Sequence, residues 1–254
     1  MTEAPGLGLH RRTALITGAA TGIGRATAIR LAQAGAAVVI NHVGQTEQAR
    51  MLVDQISAAG GRAWACDADV SDAASVARMV RDIQAVTPAI DILVNNAGIL
   101  LEKPFLETTE ADWDRVLSVD LKSVFLVCRA VLPGMVSRGQ GVVVNIASDL
   151  GILGRRHFAA YCAAKAGVIG LTRTLAQEFA PAIRVNAVAP GPVATAMVSL
   201  ETMSAAAIEN ELAIPQQRFA EPSEIADTVL FLASDLSRFY CGQVLGPNGG
   251  SVMP

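Results

Sequence analysis

The run Thr13–Thr17 (T-A-L-I-T) is β-rich and leads directly into G-A-A-T-G-I-G, with Gly18, Gly22 and Gly24. A helix-forming stretch, Arg25–Ala34, follows. Strand, glycine loop and helix in that order constrain the fold more than any other feature of the chain. Glycines permit a tight turn and let backbone N–H groups approach a pyrophosphate. The helix N-terminus behind them adds partial positive charge. A plain strand-to-helix turn would read the same locally, so the following segments decide.

Those segments alternate. Ala36–Asn41 (A-A-V-V-I-N) is an apolar run of the kind found in a buried parallel strand. The pattern predicts a helix over 46–59, closed by Gly60 and Gly61, a strand at 62–66, and a helix capped by Ser71 that runs to about 86. A fourth strand is expected at 91–94, and then a long helix from about 110 to 136 with Pro133 as the natural place for a bend. Strands at 141–146 and 184–189 flank a helix ending near 179, and 244–245 forms a short last strand. This order implies an α/β fold: a doubly wound, Rossmann-type parallel sheet with helices on both faces. No repeat, low-complexity tract or linker interrupts it, so residues 1–254 are read as one domain.

A chain of 254 residues is long enough to bury a sizeable core. Its 52% hydrophobic and 17% charged content suggests that apolar surface is hidden in subunit contacts. A net charge of −3 and the lack of a basic cluster argue against nucleic acid as a partner. The first dozen residues show no secretory pattern, and no apolar run approaches the ~20 residues that cross a bilayer. A cytoplasmic protein without membrane association is expected. Cys66, Cys128, Cys162 and Cys241 form no C-x-x-C, and His10, His42 and His157 are scattered, so no metal site is expected.

Tyr161 and Lys165 stand four apart in Y-C-A-A-K, within an Ala-rich helical stretch, so both side chains leave one face. A free tyrosine titrates near ~10, and a neighbouring ammonium favours the phenolate. A phenol tuned downward in this way can exchange a proton with a substrate oxygen.

Four motifs now occur in order: T-G-A-A-T-G-I-G at 17–24, N-N-A-G at 95–98, N-I-A-S at 145–148 before Tyr161, and P-G at 190–191 with Thr195. Together they resemble the short-chain dehydrogenase/reductase family over nearly the whole chain. The resemblance implies reversible hydride transfer between a nicotinamide and a carbonyl or alcohol carbon. Tyr161 would be general acid in reduction and base in oxidation, and Ser148 would hydrogen-bond the same oxygen. Lys165 would bind the nicotinamide ribose and lower the tyrosine pKa. The implied cofactor contacts are Gly18, Thr21, Gly22, Ile23 and Gly24, then Asn41 and His42, then Asp69 and Val70. Asn96, Ala97 and Gly98, Pro190, Gly191, Val193 and Thr195 complete them, with Tyr161 and Lys165.

Two departures from the family pattern matter. Many members carry an asparagine where D-L-K-S-V-F places Asp120; it helps hold a water that links the lysine to solvent. A carboxylate could anchor that water but would stabilise the ammonium, so Asp120 is expected in the relay with a shifted pH optimum. Second, NAD enzymes often carry Asp where this chain has His42, and many NADP enzymes carry Arg where it has Thr21. With no carboxylate there to repel a 2′-phosphate, NADP(H) is favoured over NAD(H), with use of both allowed.

The segment 197–215 departs from the alternation and resembles the family's substrate lid, with Met197, Val198, Leu200, Met203 and Ile208. Asp149, Leu150, Leu153, Arg155–Phe158 and Pro192 are candidates to line a mainly apolar substrate pocket. A ketone reductase or secondary-alcohol dehydrogenase is favoured over a sugar or polyol dehydrogenase and a β-ketoacyl thioester reductase. The turn F-A-P-A-I-R lacks the basic residue that such reductases present to an acidic carrier protein, although Arg138 is expected nearby. A cofactor-binding sensor without turnover is the non-enzyme alternative. Family habit and the P-N-G-G-S-V-M-P tail imply a homotetramer.

Overall fold

Val, Ile, Leu and Ala occupy both faces of the central strands, the composition a sheet needs when helices cover it on both sides. In the computed structural model, which describes residues 7, 9–87, 89–197 and 203–253, these runs form β1 (Thr13–Ile16), β2 (Ala37–His42), β3 (Arg62–Asp67), β4 (Ile92–Asn95), β5 (Gly141–Ile146), β6 (Ile183–Val188) and β7 (Val244–Leu245). The helices are α1 (Gly22–Gln33), α2 (Thr46–Ala58), α3 (Ala73–Val86), α4 (Glu110–Leu117), α5 (Ser123–Arg138), α6 (Leu150–Leu153), α7 (Ala159–Phe179), α8 (Ala205–Leu212) and α9 (Pro222–Ala233).

All seven strands are parallel, in the order β3-β2-β1-β4-β5-β6-β7. Alternate residues feed two cores. Leu15, Leu93, Val143 and Val185 pack with α3, α5 and α7, whereas Ile16, Ile40, Ile92 and Val144 pack with α1, α2 and α9. Each fully buried side chain of this size contributes about 1.5–3 kcal/mol. The strand order reverses between β1 and β4, which opens a crevice at their carboxyl ends, where doubly wound sheets bind ligands.

Two expectations need correction. The cap of α3 is Asp72, whose carboxylate accepts from Ser75 N at 2.7 Å. Ser71 is already engaged, donating to Asp69 Oδ1. The long helix is interrupted not at Pro133, which sits inside α5, but at a π-helical turn over Ser118–Lys122. Asp120 lies in that turn, a wide-turn geometry often found at functional sites.

Candidate active site

The glycine loop and the N-N-A-G loop are locked together by polar contacts that only this crevice provides. Thr17 Oγ1 accepts from the backbone N–H groups of Asn96 (2.9 Å) and Ala97 (3.0 Å). Asn96 Nδ2 donates back to the carbonyls of Thr17 and Gly18. Gly18 and Gly22 adopt φ of +60° and +55°, and a Cβ on Gly18 would stand 2.9 Å from Ala97 Cα. The result is a backbone cradle at the N-terminus of α1, the kind of site where backbone N–H groups and the helix dipole can hold an anion. Gly24 does not line the cavity as expected. A Cβ there would lie 2.5 Å from Asn96 Nδ2, so its absent side chain lets the helix seat against the loop.

A cavity of about 460 Å³ runs from this cradle. Apart from Gly24, every residue expected to contact cofactor lines it, as do Ser148 and Asp120. Its wall also includes Met197, expected in the lid, and Val43, Gln45, Ile99, Arg115 and Val119, none of which was expected at the site. Among the described residues no group of His, Cys, Asp and Glu is placed to hold a metal ion.

The register of α7 against the sheet sets the catalytic face. Asn95 Nδ2 donates to Asn145 Oδ1 at 2.8 Å, and Asn145 Nδ2 to Thr172 Oγ1 at 2.9 Å, a buried chain joining β4, β5 and α7. This places Lys165 Nζ 5.4 Å from the Tyr161 ring centroid, where it also donates to Ile146 O at 3.2 Å. Ser148, two residues beyond β5, lines the same wall of the cavity as Tyr161. Asp120 Oδ2 lies 3.2 Å from Lys165 Nζ in ion-pair contact, without hydrogen-bond alignment, and its Oδ1 accepts from Ile99 N at 2.9 Å. Asp120 is fully buried and Lys165 nearly so.

Burial works against the Lys165 ammonium, but Asp120 and then Tyr161 together outweigh it, and the lysine pKa is raised. Burial likewise raises Asp120, against the pull of Lys165. For Tyr161 the expected direction is overturned. Burial raises the phenol, Lys165 lowers it, and Asp120 raises it again, so the net direction in the protein alone is upward.

At the adenosine end, Asn41 ties loops together, accepting from Gly18 N at 3.3 Å and donating to Ala68 O at 2.9 Å. His42 is buried, and its Nδ1 has no hydrogen-bond partner. His42 nonetheless has a carboxylate beside it, although Asp67 does not line the cavity. β3 pairs Asp67 opposite His42 and brings its Oδ1 to 3.9 Å from Nδ1 and 3.4 Å from Gly44 N.

The substrate-side candidates divide. Asp149 is buried and turned away from the cavity, and Phe158 is buried beneath the Arg155 guanidinium. Arg155 is paired with Glu211 of α8, which ties the loop before α7 to the 197–215 segment. Arg156, His157 and Leu153 are exposed, and Pro192 faces a smaller pocket. Of the apolar residues expected in the lid, Val198 and Leu200 lie outside the described residues; Met203 and Ile208 are half-buried.

Comparison with known proteins places this geometry. Residues 18–251 match a protein-family model described as Enoyl-(Acyl carrier protein) reductase. A 3-oxoacyl-[acyl-carrier-protein] reductase of Thermotoga maritima is 42% identical over 247 residues, covering 96% of this chain and 99% of that protein. A solved dehydrogenase/reductase from Sinorhizobium meliloti 1021 has a TM-score of 0.91 at 36% identity, with 98% of each chain covered. Levodione reductase gives 0.90 at 38% identity, covering 95% of this chain and 97% of that one.

Proposed function

This chain belongs to the short-chain dehydrogenase/reductase family, NAD(P)-dependent oxidoreductases of CH–OH and C=O groups, and from that premise we propose that it interconverts a ketone and its secondary alcohol. The observation that carries the reading is the meeting of Ser148, Tyr161 and Lys165 at one wall of the cavity that begins in the glycine cradle. The nicotinamide cofactor supplies or accepts the hydride when bound. Gly18, Thr21, Gly22 and Ile23 would hold its phosphates, Asp69 and Val70 its adenine, and Lys165 its ribose. Tyr161 gives its proton to the substrate oxygen in reduction and takes one in oxidation. Lys165 keeps a positive charge beside that phenol, and Asp120 holds Lys165 in place. Ser148 orients the oxygen.

A second reading, β-ketoacyl thioester reduction, draws on the Thermotoga maritima relative. Against it, the turn after α7 lacks the basic residue such reductases present to an acidic carrier, and the nearby Arg138 is engaged: it donates to Ile90 O at 2.7 Å and stands 3.7 Å from Asp91. Sugar or polyol oxidation is a third. NADP(H) is favoured over NAD(H) because β2 ends in His42; Asp67 works against that preference, so both dinucleotides are expected to bind. The segment 197–215 acts as the lid of a single domain. Phe105, Leu106, Phe125 and Phe239 leave apolar surface for a homotetramer. No helix among the described residues is long and apolar enough to cross a membrane, and a cytoplasmic site of action fits the reading.

The test is a turnover panel with both dinucleotides: acetophenone and 1-phenylethanol, glucose, and an acetoacetyl thioester. Tyr161→Phe should lose at least a hundredfold in kcat, the usual scale for a proton-transfer group. Full activity in that variant would overturn the assignment.

A further inference from the structure

Glu211 is a charged residue on the packed face of its helix. In α8 the half-buried residues Ala207, Ile208, Glu211 and Leu212 share one side, whereas Glu209 and Asn210 are exposed. A carboxylate turned toward the protein needs a partner, and the Glu211 side chain is only 17% exposed. That partner is Arg155, whose guanidinium donates to Glu211 Oε1.

Arg155 is turned inward too. Gly154, Arg156 and His157 around it are exposed, but Arg155 is half-buried. Gly154 and His157 each adopt a φ of +70°, which bends the chain on both sides of the arginine. His157 O accepts from Lys103 N at 2.7 Å and fixes this loop to the segment after β4. The guanidinium also stands 6.0 Å from the ring centroid of buried Phe158, within reach of a cation–π contact. Phe158 directly precedes α7, and Tyr161 lies in the first turn of that helix. The ion pair therefore joins α8 to the stretch of chain that presents the phenol.

The chain on either side of α8 has its own anchors. Before it, Thr195, Ala196 and Met197 line the cavity. After it, Gln216 N donates to Gly249 O at 3.0 Å and Ala220 N to Pro192 O at 2.9 Å. Among the described residues, the Arg155–Glu211 contact is the one hydrogen bond or ion pair that ties α8 to a segment remote in sequence.

We propose that Arg155 and Glu211 are positioning residues whose ion pair holds α8 against the Tyr161 end of the cavity, so that substrate and product, but not the dinucleotide, enter and leave by opening it. The proposal rests on the hydride-transfer reading with 197–215 as the lid. No residue of α8 lines the cavity that starts in the glycine cradle, so breaking the pair leaves the dinucleotide's contacts in place.

The experiment is a double-mutant cycle on the full chain: Arg155→Gln, Glu211→Gln and the two together. Hydrogen exchange of the dinucleotide-bound enzyme reads α8. Fluorescence titration gives the Kd of NADPH and NADH, and steady-state kinetics use the best substrate of the panel. Either single change should speed exchange in α8 and raise the substrate KM roughly three- to fivefold, the scale of one partly exposed ion pair. In both, kcat should hold or rise and the dinucleotide Kd should stay as it was. The double variant should cost no more than the worse single, because each residue acts through the other. Unchanged exchange and KM in both singles overturn the proposal, as do single effects that add in the double. A dinucleotide Kd that rises in step with KM overturns it too, since that marks general loosening. If Arg155→Gln does not fold without its contact to Phe158, the Glu211→Gln arm decides. Each of these failures leaves the hydride-transfer reading standing, because that reading falls only if Tyr161→Phe keeps its turnover.

Discussion

Replacing Asp120 by asparagine removes one negative charge from the catalytic face while keeping the shape of the side chain. Asp120 Oδ2 lies 3.2 Å from Lys165 Nζ, so at an effective dielectric of ~20 the attraction is roughly 5 kcal/mol before the cost of burying both charges. Lys165 Nζ in turn stands 5.4 Å from the Tyr161 ring centroid. If about a quarter of that interaction reaches the phenol, it is worth ~1.4 kcal/mol, or one pH unit. The sign follows from the base role. Alcohol oxidation needs the tyrosine deprotonated, so the rate rises with pH through the Tyr161 pKa. Asp120 pushes that pKa up. Its removal should therefore move the rising limb of kcat/KM for oxidation to lower pH by about one unit. The assay is the pH–rate profile of the wild type and Asp120→Asn with the best alcohol from the panel. Superimposable profiles would remove any electrostatic role for Asp120. A limb displaced to higher pH would mean that Lys165 loses its charge without its partner, which also refutes the reasoning.

Asp67→Asn removes the carboxylate that β3 sets against His42, and should raise the NADPH-over-NADH ratio of kcat/KM roughly three- to tenfold; an unchanged ratio places Asp67 outside the reach of the 2′-position. Gly98→Ala would put a methyl 2.9 Å from Asp120 Oδ2 and 3.3 Å from Lys165 Nζ, so kcat should fall at least about tenfold, and wild-type kinetics would show that the pair can yield. Leu93→Ala, in the fully buried centre of β4, should cost about 2–5 kcal/mol in urea unfolding; a loss below about 1 kcal/mol would mean that the core collapses around the gap.

Strand and helix order, the glycine cradle and the Tyr161–Lys165 pair were legible in the sequence. Each depends on neighbours within a few positions: periodicity, turn residues, or the four-residue spacing of one helical face. Strand bounds fell within a residue or so, and the Ser71 cap was displaced by a single position. Membership of the family came from four short motifs in order, which needs no tertiary information.

What the sequence left open involves groups brought together by the fold. Asp67 reaches His42 through the β2–β3 register, Asp120 reaches Lys165 through a π-helical turn, and Ser251 reaches Asp149 across 102 residues. The direction of the Tyr161 pKa also belongs here. Proximity to Lys165 could be read from spacing, but the burial that outweighs it could not. Local geometry follows from covalent connectivity, whereas desolvation and the distance between remote charges exist only once the chain has packed.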